Sequence, residues 1–130
     1  MRLQKVASAL ALANSFIGIT GLLGPFVTGN DDRFINIRPG YLYGVFGMNW
    51  LHALLHLMVG VVGLFWRQTN TGATSYMRLH AGLFGMLAPI GVLRVRGSQQ
   101  IHMVMGMAVN MPANLVHVAW AAIGLVFARR

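Results

Sequence analysis

The chain has 130 residues, of which 56% are hydrophobic and 9% are charged. A soluble domain carries about 25% charged residues, so this composition argues against a water-soluble fold. It also excludes a disordered chain, which carries few apolar residues and many charges. The chain has no cysteine, which also excludes disulfides, zinc ribbons, iron–sulfur clusters, thiol catalysis and covalently attached haem.

The net charge is +8, from ten basic and two acidic residues. In a soluble protein this excess would indicate nucleic-acid binding. Here the basic residues flank apolar runs, which is how membrane proteins use them at the edges of the bilayer. The sequence therefore predicts a protein integral to a bacterial-type membrane, with the lipid bilayer as a partner and no nucleic acid.

Four apolar runs predict four membrane-spanning helices, because about 20 apolar residues cross a bilayer core. The single domain, residues 1–130, has its expected spans at residues 6–27, 42–66, 79–93 and 111–128. Residues 28–41 form a polar connection that holds both acids, Asp31 and Asp32. Residues 67–78 form a second loop, and the Met-rich residues 97–109 are interpreted as an interfacial or re-entrant connection.

The basic residues predict the orientation of the spans. With four spans, both termini and the second loop share one side, which holds Arg2, Lys5, Arg67, Arg78, Arg129 and Arg130. The other side holds only Arg33, Arg38, Arg94 and Arg96. Positive charge concentrates on the cytoplasmic side, so the pattern predicts a multi-pass protein with both termini in the cytoplasm.

Each predicted span has one small or polar face. In lipid, helices associate through small residues and interhelical hydrogen bonds, because large apolar side chains gain nothing by turning inward. Interior polar packing is therefore expected at Asn14, Asn49, Asn110 and Asn114, together with the histidines on the same faces. The predicted fold class is all-α, a compact four-helix transmembrane bundle.

The second and fourth spans resemble each other. Asn49 and His52 match Asn114 and His117 at an offset of 65 residues, which suggests two related helical hairpins.

The polar blocks carry a family resemblance. The run NWLHALLH from Asn49 to His56 and the run VNMPANLVH from Val109 to His117 resemble motifs of small bacterial four-helix membrane proteins. That family is catalogued only as a domain of unknown function, and the resemblance covers residues 42–128. It implies a four-span architecture and no activity. Ala113 stands where members often carry an Asp, which argues against an acid–base role for the second block.

Three interior histidines, His52, His56 and His117, are the main candidates for binding a cofactor. Neutral imidazole ligates haem iron and chlorophyll magnesium, and Gly on a neighbouring helical turn leaves room for the ring, so a bound cofactor would be haem b or chlorophyll. The favoured interpretation is structural. In it, Asn49 and Asn110 cap their helices while the Asn and His side chains join the helices by hydrogen bonds. His80 is expected at the cytoplasmic edge of the third span.

A second candidate site is a metal site in the Met-rich connection. Thioethers with an imidazole suit Cu(I), and the donors would be His102, Met103, Met105 and Met107. The alternative is that these Met residues fill apolar contacts. Arg94 and Arg96 lie at a membrane edge, where paired Arg residues either contact lipid phosphate or a partner or, more often, only anchor the span.

The predicted spans contain no carboxylate, and the sequence has no phosphate loop, nucleophile elbow or metalloprotease motif. The sequence therefore predicts a non-enzymatic membrane protein that is an accessory or structural subunit of a larger membrane complex. The alternative is a tetrapyrrole protein of an electron-transfer or light-harvesting assembly. A small channel or transporter is the remaining alternative.

Overall fold

The computed structural model describes residues 2–129, and this part of the chain forms four α-helices and five short strands. The helices are α1 (Arg2–Leu22), α2 (Trp50–Trp66), α3 (Asn70–Val95) and α4 (Met111–Phe127). The strands are β1 (Val27–Thr28), β2 (Gly40–Leu42), β3 (Phe46–Met48), β4 (His102–Val104) and β5 (Met107–Val109). The prediction of four helices is confirmed.

The helices form two hairpins. Helix α1 packs along α2, and α3 packs along α4. Strands β1, β2 and β3 form an antiparallel sheet between α1 and α2, while β4 and β5 form an antiparallel pair between α3 and α4. Strand β3 contacts β5, so the two sheets meet at the end of the bundle opposite the turn that joins α2 to α3. We call this the sheet end of the bundle.

The strands are the main departure from the all-helical expectation. The second span was predicted from residue 42, but residues 40–48 form a hairpin and the helix begins at Trp50. The reason lies in the turn, where Tyr43 and Gly44 have φ values of 53° and 74°, which a helix cannot accommodate. The connection over residues 97–109, interpreted as interfacial or re-entrant, contains a hairpin of β4 and β5. Its two turn residues, Met105 and Gly106, both have positive φ.

Two other helix boundaries differ from the prediction. Helix α1 ends at Leu22, because Pro25 lies in a short 3₁₀ turn, Gly24–Phe26, that leads into β1. Helix α3 begins at Asn70, nine residues earlier than expected, because the Thr69 hydroxyl accepts a hydrogen bond from the Gly72 amide and caps it. Only a short turn at residues 67–69 therefore separates α2 from α3.

Small residues bring the paired helices into close contact. Gly18 of α1 lies against the backbone of Leu57 in α2, and Gly124 of α4 lies against the backbone of Ala81 in α3. The side chains buried between the helices include Tyr76, Met77 and Phe84. Large apolar side chains lie instead on the outside of all four helices, among them Leu12, Phe16, Met58, Phe65, Met86, Leu93, Leu115 and Leu125. Two helices, Arg2–Leu22 and Asn70–Val95, are long and apolar enough to cross a membrane.

The two hairpins are related, but in a different register from the one that the sequence suggested. Asn49 and Asn110 are the N-caps of α2 and α4, two helices of 17 residues each. Their offset is 61 residues, and the same offset relates His56 to His117. The offset of 65 residues was therefore wrong, because it aligned Asn49 with Asn114, which lies one turn inside α4.

A buried histidine cluster as the candidate functional site

Every helix contributes a polar side chain to one buried cluster. Asn14 comes from α1, His52 and His56 from α2, His80 from α3 and His117 from α4, and none of the five is more than 2% exposed. Buried polar groups are tolerated only when they have partners, so the hydrogen bonds within this cluster decide what it can do.

The first ring, His52, is held by backbone carbonyls. Its Nδ1 lies 3.1 Å from the carbonyl oxygen of Gly47 and 2.9 Å from that of Ala108. Because a carbonyl only accepts, Nδ1 carries the hydrogen. Nε2 of the neutral ring is therefore unprotonated and presents its lone pair. The two carbonyls belong to β3 and β5, so the contact between the two sheets sets the orientation of this imidazole.

Asn14 fixes the next two rings. Its Nδ2 donates to the carbonyl of Leu10, which leaves Oδ1 to accept from His56 Nδ1 at 3.0 Å. Nε2 of His56 is therefore a bare lone pair as well. The same Nδ2 lies 3.2 Å from Nε2 of His80, whose Nδ1 donates to the carbonyl of Tyr76. One Asn thus sets the tautomers of two histidines on two other helices.

The bare nitrogens converge. Nε2 of His52 lies 3.2 Å from Nε2 of His56 and 3.2 Å from Nε2 of His117. One ring nitrogen from each of the three lies within 4.8 Å of the other two. A single proton on His117 could satisfy His52, but it would leave His56 facing another lone pair. The arrangement is suited to a cation that accepts all three lone pairs at once.

Aromatic side chains surround the cluster on the α3 and α4 side. Phe84 lies 5.8 Å, ring to ring, from His56 and 5.3 Å from His117, and Trp120 meets His56 edge-on at 5.2 Å. The remaining nitrogen of His117, Nδ1, is buried and has no hydrogen-bond partner within residues 2–129. These aromatic rings therefore hold the imidazoles in place by packing, in addition to the hydrogen bonds that orient His52 and His56.

A small cavity opens beside the three converging nitrogens. Its volume is about 70 Å³, enough for a few water-sized molecules. His52, His56 and His117 provide its polar wall, and the other walls are mostly apolar, formed by Ile17, Leu42, Tyr43, Phe46, Met48, Ala113 and Val116. The cavity could therefore hold a ligand of a few atoms against the three imidazoles.

Asn49 and Asn110 hold the sheet end together reciprocally. The Asn49 amide donates to the carbonyl of Gly106, and its oxygen accepts from Ala108 N, both in the opposite hairpin. The Asn110 amide donates to the carbonyl of Val45, and its oxygen accepts from Gly47 N. Each side chain also caps its own helix. The carbonyls of Gly47 and Ala108 that orient His52 are therefore fixed by these two caps.

The other sequence candidates lie apart from the cluster. Asn114 is fully buried against Gly91, and neither of its amide atoms has a partner in the described part of the chain. The four donors of the Met-rich connection differ in exposure, because Met103 and Met105 are exposed while Met107 is buried and His102 lies between these extremes. Arg94 and Arg96 are exposed at the end of α3.

Sequence reasoning missed His80. It was expected at a membrane edge, yet it is fully buried and bonded to Asn14. The misplaced start of α3 explains the error, because a helix that begins at Asn70 carries His80 into its fourth turn. The signal available in the sequence was the spacing of Tyr76, His80 and Phe84, which places all three on one face of a helix.

Comparison with known families matches residues 4–129 to the family described as a domain of unknown function (DUF4383). This confirms the resemblance that the Asn/His blocks indicated and extends it over nearly the whole chain. No curated protein and no solved structure matches the chain.

Proposed function

The chain belongs to the DUF4383 family, whose description assigns no activity, and we propose from the fold and the site that it is a non-enzymatic integral membrane protein, an accessory subunit of a larger membrane complex. The observation that carries this proposal is the distribution of polarity. The cluster of Asn and His side chains is buried, while large apolar side chains are exposed along all four helices. A bilayer favours this arrangement and water disfavours it.

The lengths of the helices are compatible with four crossings. Helices α1 and α3 meet the usual length and hydropathy for a membrane span. Helices α2 and α4 have 17 residues each, or about 26 Å at 1.5 Å per residue, which is the lower limit for a hydrocarbon core of about 30 Å. Because each packs along a longer partner, we infer that all four cross together, with local thinning of the bilayer at the shorter pair.

The positive charges support cytoplasmic termini. The end that carries the termini and the α2–α3 turn holds Arg2, Lys5, Arg67 and Arg129. Arg130, which was also predicted at this end, lies outside the described residues. Arg78 lies within α3 rather than in a loop, and its side chain is exposed, so it would extend along the helix toward the same surface. The sheet end would then face the opposite side.

The sheet end offers a surface for a partner. Phe34, Ile35 and Ile37 are exposed on the connection between β1 and β2, and Phe34 is 83% exposed. This segment is held in place, because Gly24 N donates to the carbonyl of Phe34 and Asn36 N donates to the carbonyl of Leu22. An ordered apolar patch beside Asp31, Arg33 and Arg38 has the composition of a protein contact. Its occupant would be an extramembrane surface of a neighbouring membrane protein.

Extraction and crosslinking test this proposal. The protein would be taken from its native membrane in a mild detergent, with a photo-crosslinking residue at Ile37 or, as a control at the other end, at Gln68. We expect the chain to elute well above the size of a micelle that holds one 14.2 kDa chain. Ile37 should crosslink to a different polypeptide and Gln68 should not. A purely monomeric elution without an Ile37 adduct would refute the subunit role.

Tetrapyrrole binding is the second candidate function, because His52, His56 and His117 converge as axial ligands would. The space disfavours it, since the cavity of about 70 Å³ is far below the roughly 300 Å³ at which pockets for drug-sized ligands begin. The ring centroids of His52 and His117 are also only 5.2 Å apart in edge-on contact. An absorption spectrum of the gently extracted protein tests this candidate. A Soret or chlorophyll band would show that a tetrapyrrole is bound.

A further inference from the structure

We propose that His52, His56 and His117 form a binding site for a single copper ion in the Cu(I) state, ligated by their three Nε2 atoms. This inference concerns the interior of the bundle and is independent of the partner surface. The sequence suggested a Cu(I) site in the Met-rich hairpin, whereas the donors of this site are the three buried histidines.

The distances fit one ion. Nε2 of His52 lies 3.2 Å from Nε2 of His56 and of His117, and one ring nitrogen from each histidine lies within 4.8 Å of the others. A triangle of these dimensions has a point about 1.8–2.4 Å from each corner, which brackets a metal–imidazole bond of about 2.0–2.1 Å. Binding therefore requires no large movement of the helices. It also replaces the contact between bare lone pairs of His52 and His56 with two coordinate bonds.

The surroundings of the rings have the features of a metal site. Metal-ligating histidines usually donate their other ring nitrogen to a carbonyl, an amide oxygen or a carboxylate, which fixes the tautomer and the orientation. His52 donates to the carbonyls of Gly47 and Ala108, and His56 donates to the amide oxygen of Asn14. The same role for Nδ1 of His117 is open, because that nitrogen has no partner within residues 2–129.

The charge of the site selects among metals. Three neutral imidazoles suit copper, zinc, iron or nickel. The two carboxylates of the chain, Asp31 and Asp32, lie on the connection between β1 and β2 and not in any helix, so no acidic side chain among the ligands neutralises the ion. The electrostatic cost of burial grows with the square of the charge, so a monovalent ion costs about a quarter as much to bury as a divalent one.

The open side of the site is also soft and apolar. Met48 lines the cavity beside the three histidines, and its thioether is a ligand type that favours Cu(I). The remaining walls are chiefly aliphatic and aromatic, so an anion that would stabilise a divalent ion is poorly accommodated. Charge, donor type and cavity all favour the same oxidation state.

The test uses the full chain purified in mild detergent and kept reduced and free of oxygen. Cu(I) is titrated in competition with a chromophoric Cu(I) chelator of known affinity, and Zn(II) is titrated in parallel. X-ray absorption of the copper-loaded protein then counts the imidazole ligands. We expect one Cu(I) per chain, three imidazole nitrogens in the first shell, and no displacement by equimolar Zn(II).

Two variants make the test specific to this site. His117→Phe keeps an aromatic ring against Phe84 but removes the ligand, and we expect Cu(I) binding at least about 100-fold weaker. His102→Ala removes a histidine of the Met-rich hairpin and should bind like the unaltered chain. If His117→Phe does not fold, the ligand count from X-ray absorption of the unaltered chain decides.

Three results would overturn the proposal. They are an absence of Cu(I) binding, binding that survives His117→Phe, and a first shell with fewer than three imidazoles. Tighter binding of Zn(II) than of Cu(I) would overturn the assignment of the metal. None of these results bears on crosslinking at Ile37, so this proposal and the subunit role fail separately.

Discussion

Nε2 of His52 and Nε2 of His56 face each other at 3.2 Å, although the Nδ1 hydrogen of each ring is already donated to another acceptor. Two lone pairs in this arrangement repel each other until a proton or a metal ion lies between them. The bundle maintains the contact by fixing both rings from outside the pair, through the Gly47 and Ala108 carbonyls and through Asn14. The four helices thus preorganise a cation site at the cost of an unfavourable contact.

The first prediction concerns Asn14, whose amide joins His56 and His80. Asn14→Ala should lower the free energy of unfolding in mixed micelles by about 1–3 kcal/mol, because two interhelical hydrogen bonds are lost and two ring nitrogens remain unpaired. The neighbouring Ser15→Ala is the control. The Ser15 hydroxyl is buried without a partner in the described residues, so its removal should be neutral or stabilising. Equal losses in both variants would contradict the network.

Much of this network could be anticipated from the sequence, and the reason is physical. Asn14, His52, His56 and His117 lie on small or polar helix faces, and such faces turn inward in a bilayer. Periodicity within a helix predicts which residues share a face, but not the depth at which two helices meet. The register of 61 residues and the burial of His80 depend on where α2, α3 and α4 begin. Those boundaries are set by caps and turns.

The strands at residues 40–48 and 102–109 could not be predicted for a related reason. Both segments are short and moderately apolar, and their length does not distinguish a strand from the end of a helix. Their hairpins depend on positive φ at Tyr43 and Met105, neither of which is a Gly. The cross-hairpin hydrogen bonds of Asn49 and Asn110 compensate for this strain, and those bonds exist only in the folded chain.

The second prediction separates the two roles of Asn49, which caps α2 and binds the opposite hairpin. Asn49→Ala should cost about 2–4 kcal/mol, while Asn49→Ser, which keeps a capping oxygen, should recover about 1 kcal/mol of it. The same order is expected for Asn110→Ala and Asn110→Ser, because their contacts are reciprocal. Thermal unfolding in detergent measures all four. If the Ser variants recover nothing, capping is not a separate contribution.

The third prediction concerns helix contact. A methyl group at Gly18 would overlap the backbone of Leu57, so Gly18→Ala must separate α1 from α2 and should cost about 1–3 kcal/mol. Gly82→Ala in α3 is the matched control, since no described atom lies within 4 Å of the added carbon. That variant should be neutral or up to about 1 kcal/mol more stable, because Ala favours a helix over Gly. The reverse order would show that α1 and α2 are not in close contact.

The fourth prediction concerns pH and lies outside the helices. The backbone amides of Arg38 and Ile37 donate to Asp32, and together with the Arg38 guanidinium they hold the pKa of that carboxyl below its ordinary value of 3.8. Because the folded pKa is the lower one, this stabilisation is complete above the ordinary value and is lost as pH falls through the lowered pKa. Hydrogen exchange at the Ile37 and Arg38 amides should therefore accelerate, beyond its intrinsic pH dependence, only below about pH 4.

Two substitutions control this pH effect. Asp32→Asn should weaken the protection of both amides and remove its pH dependence at about pH 4, since a neutral amide oxygen replaces the charged acceptor. Asp31→Asn should leave it intact, because the Asp31 side chain is 98% exposed and reaches Arg38 only at 4.0 Å. Unchanged protection in Asp32→Asn would mean that the turn is held by other contacts, such as the bond from Asn30 to the carbonyl of Arg38.

The most direct test of the central claim, that the helices cross a bilayer with the sheet end opposite the termini, uses the absence of native cysteine. Single cysteines would be placed at Phe34 in the connection between β1 and β2 and at Gln68 in the α2–α3 turn, both exposed. A membrane-impermeant maleimide should label Phe34→Cys in intact cells and Gln68→Cys only after permeabilisation. Labelling of both positions from the same side would contradict the account, because α2 must cross the bilayer between them.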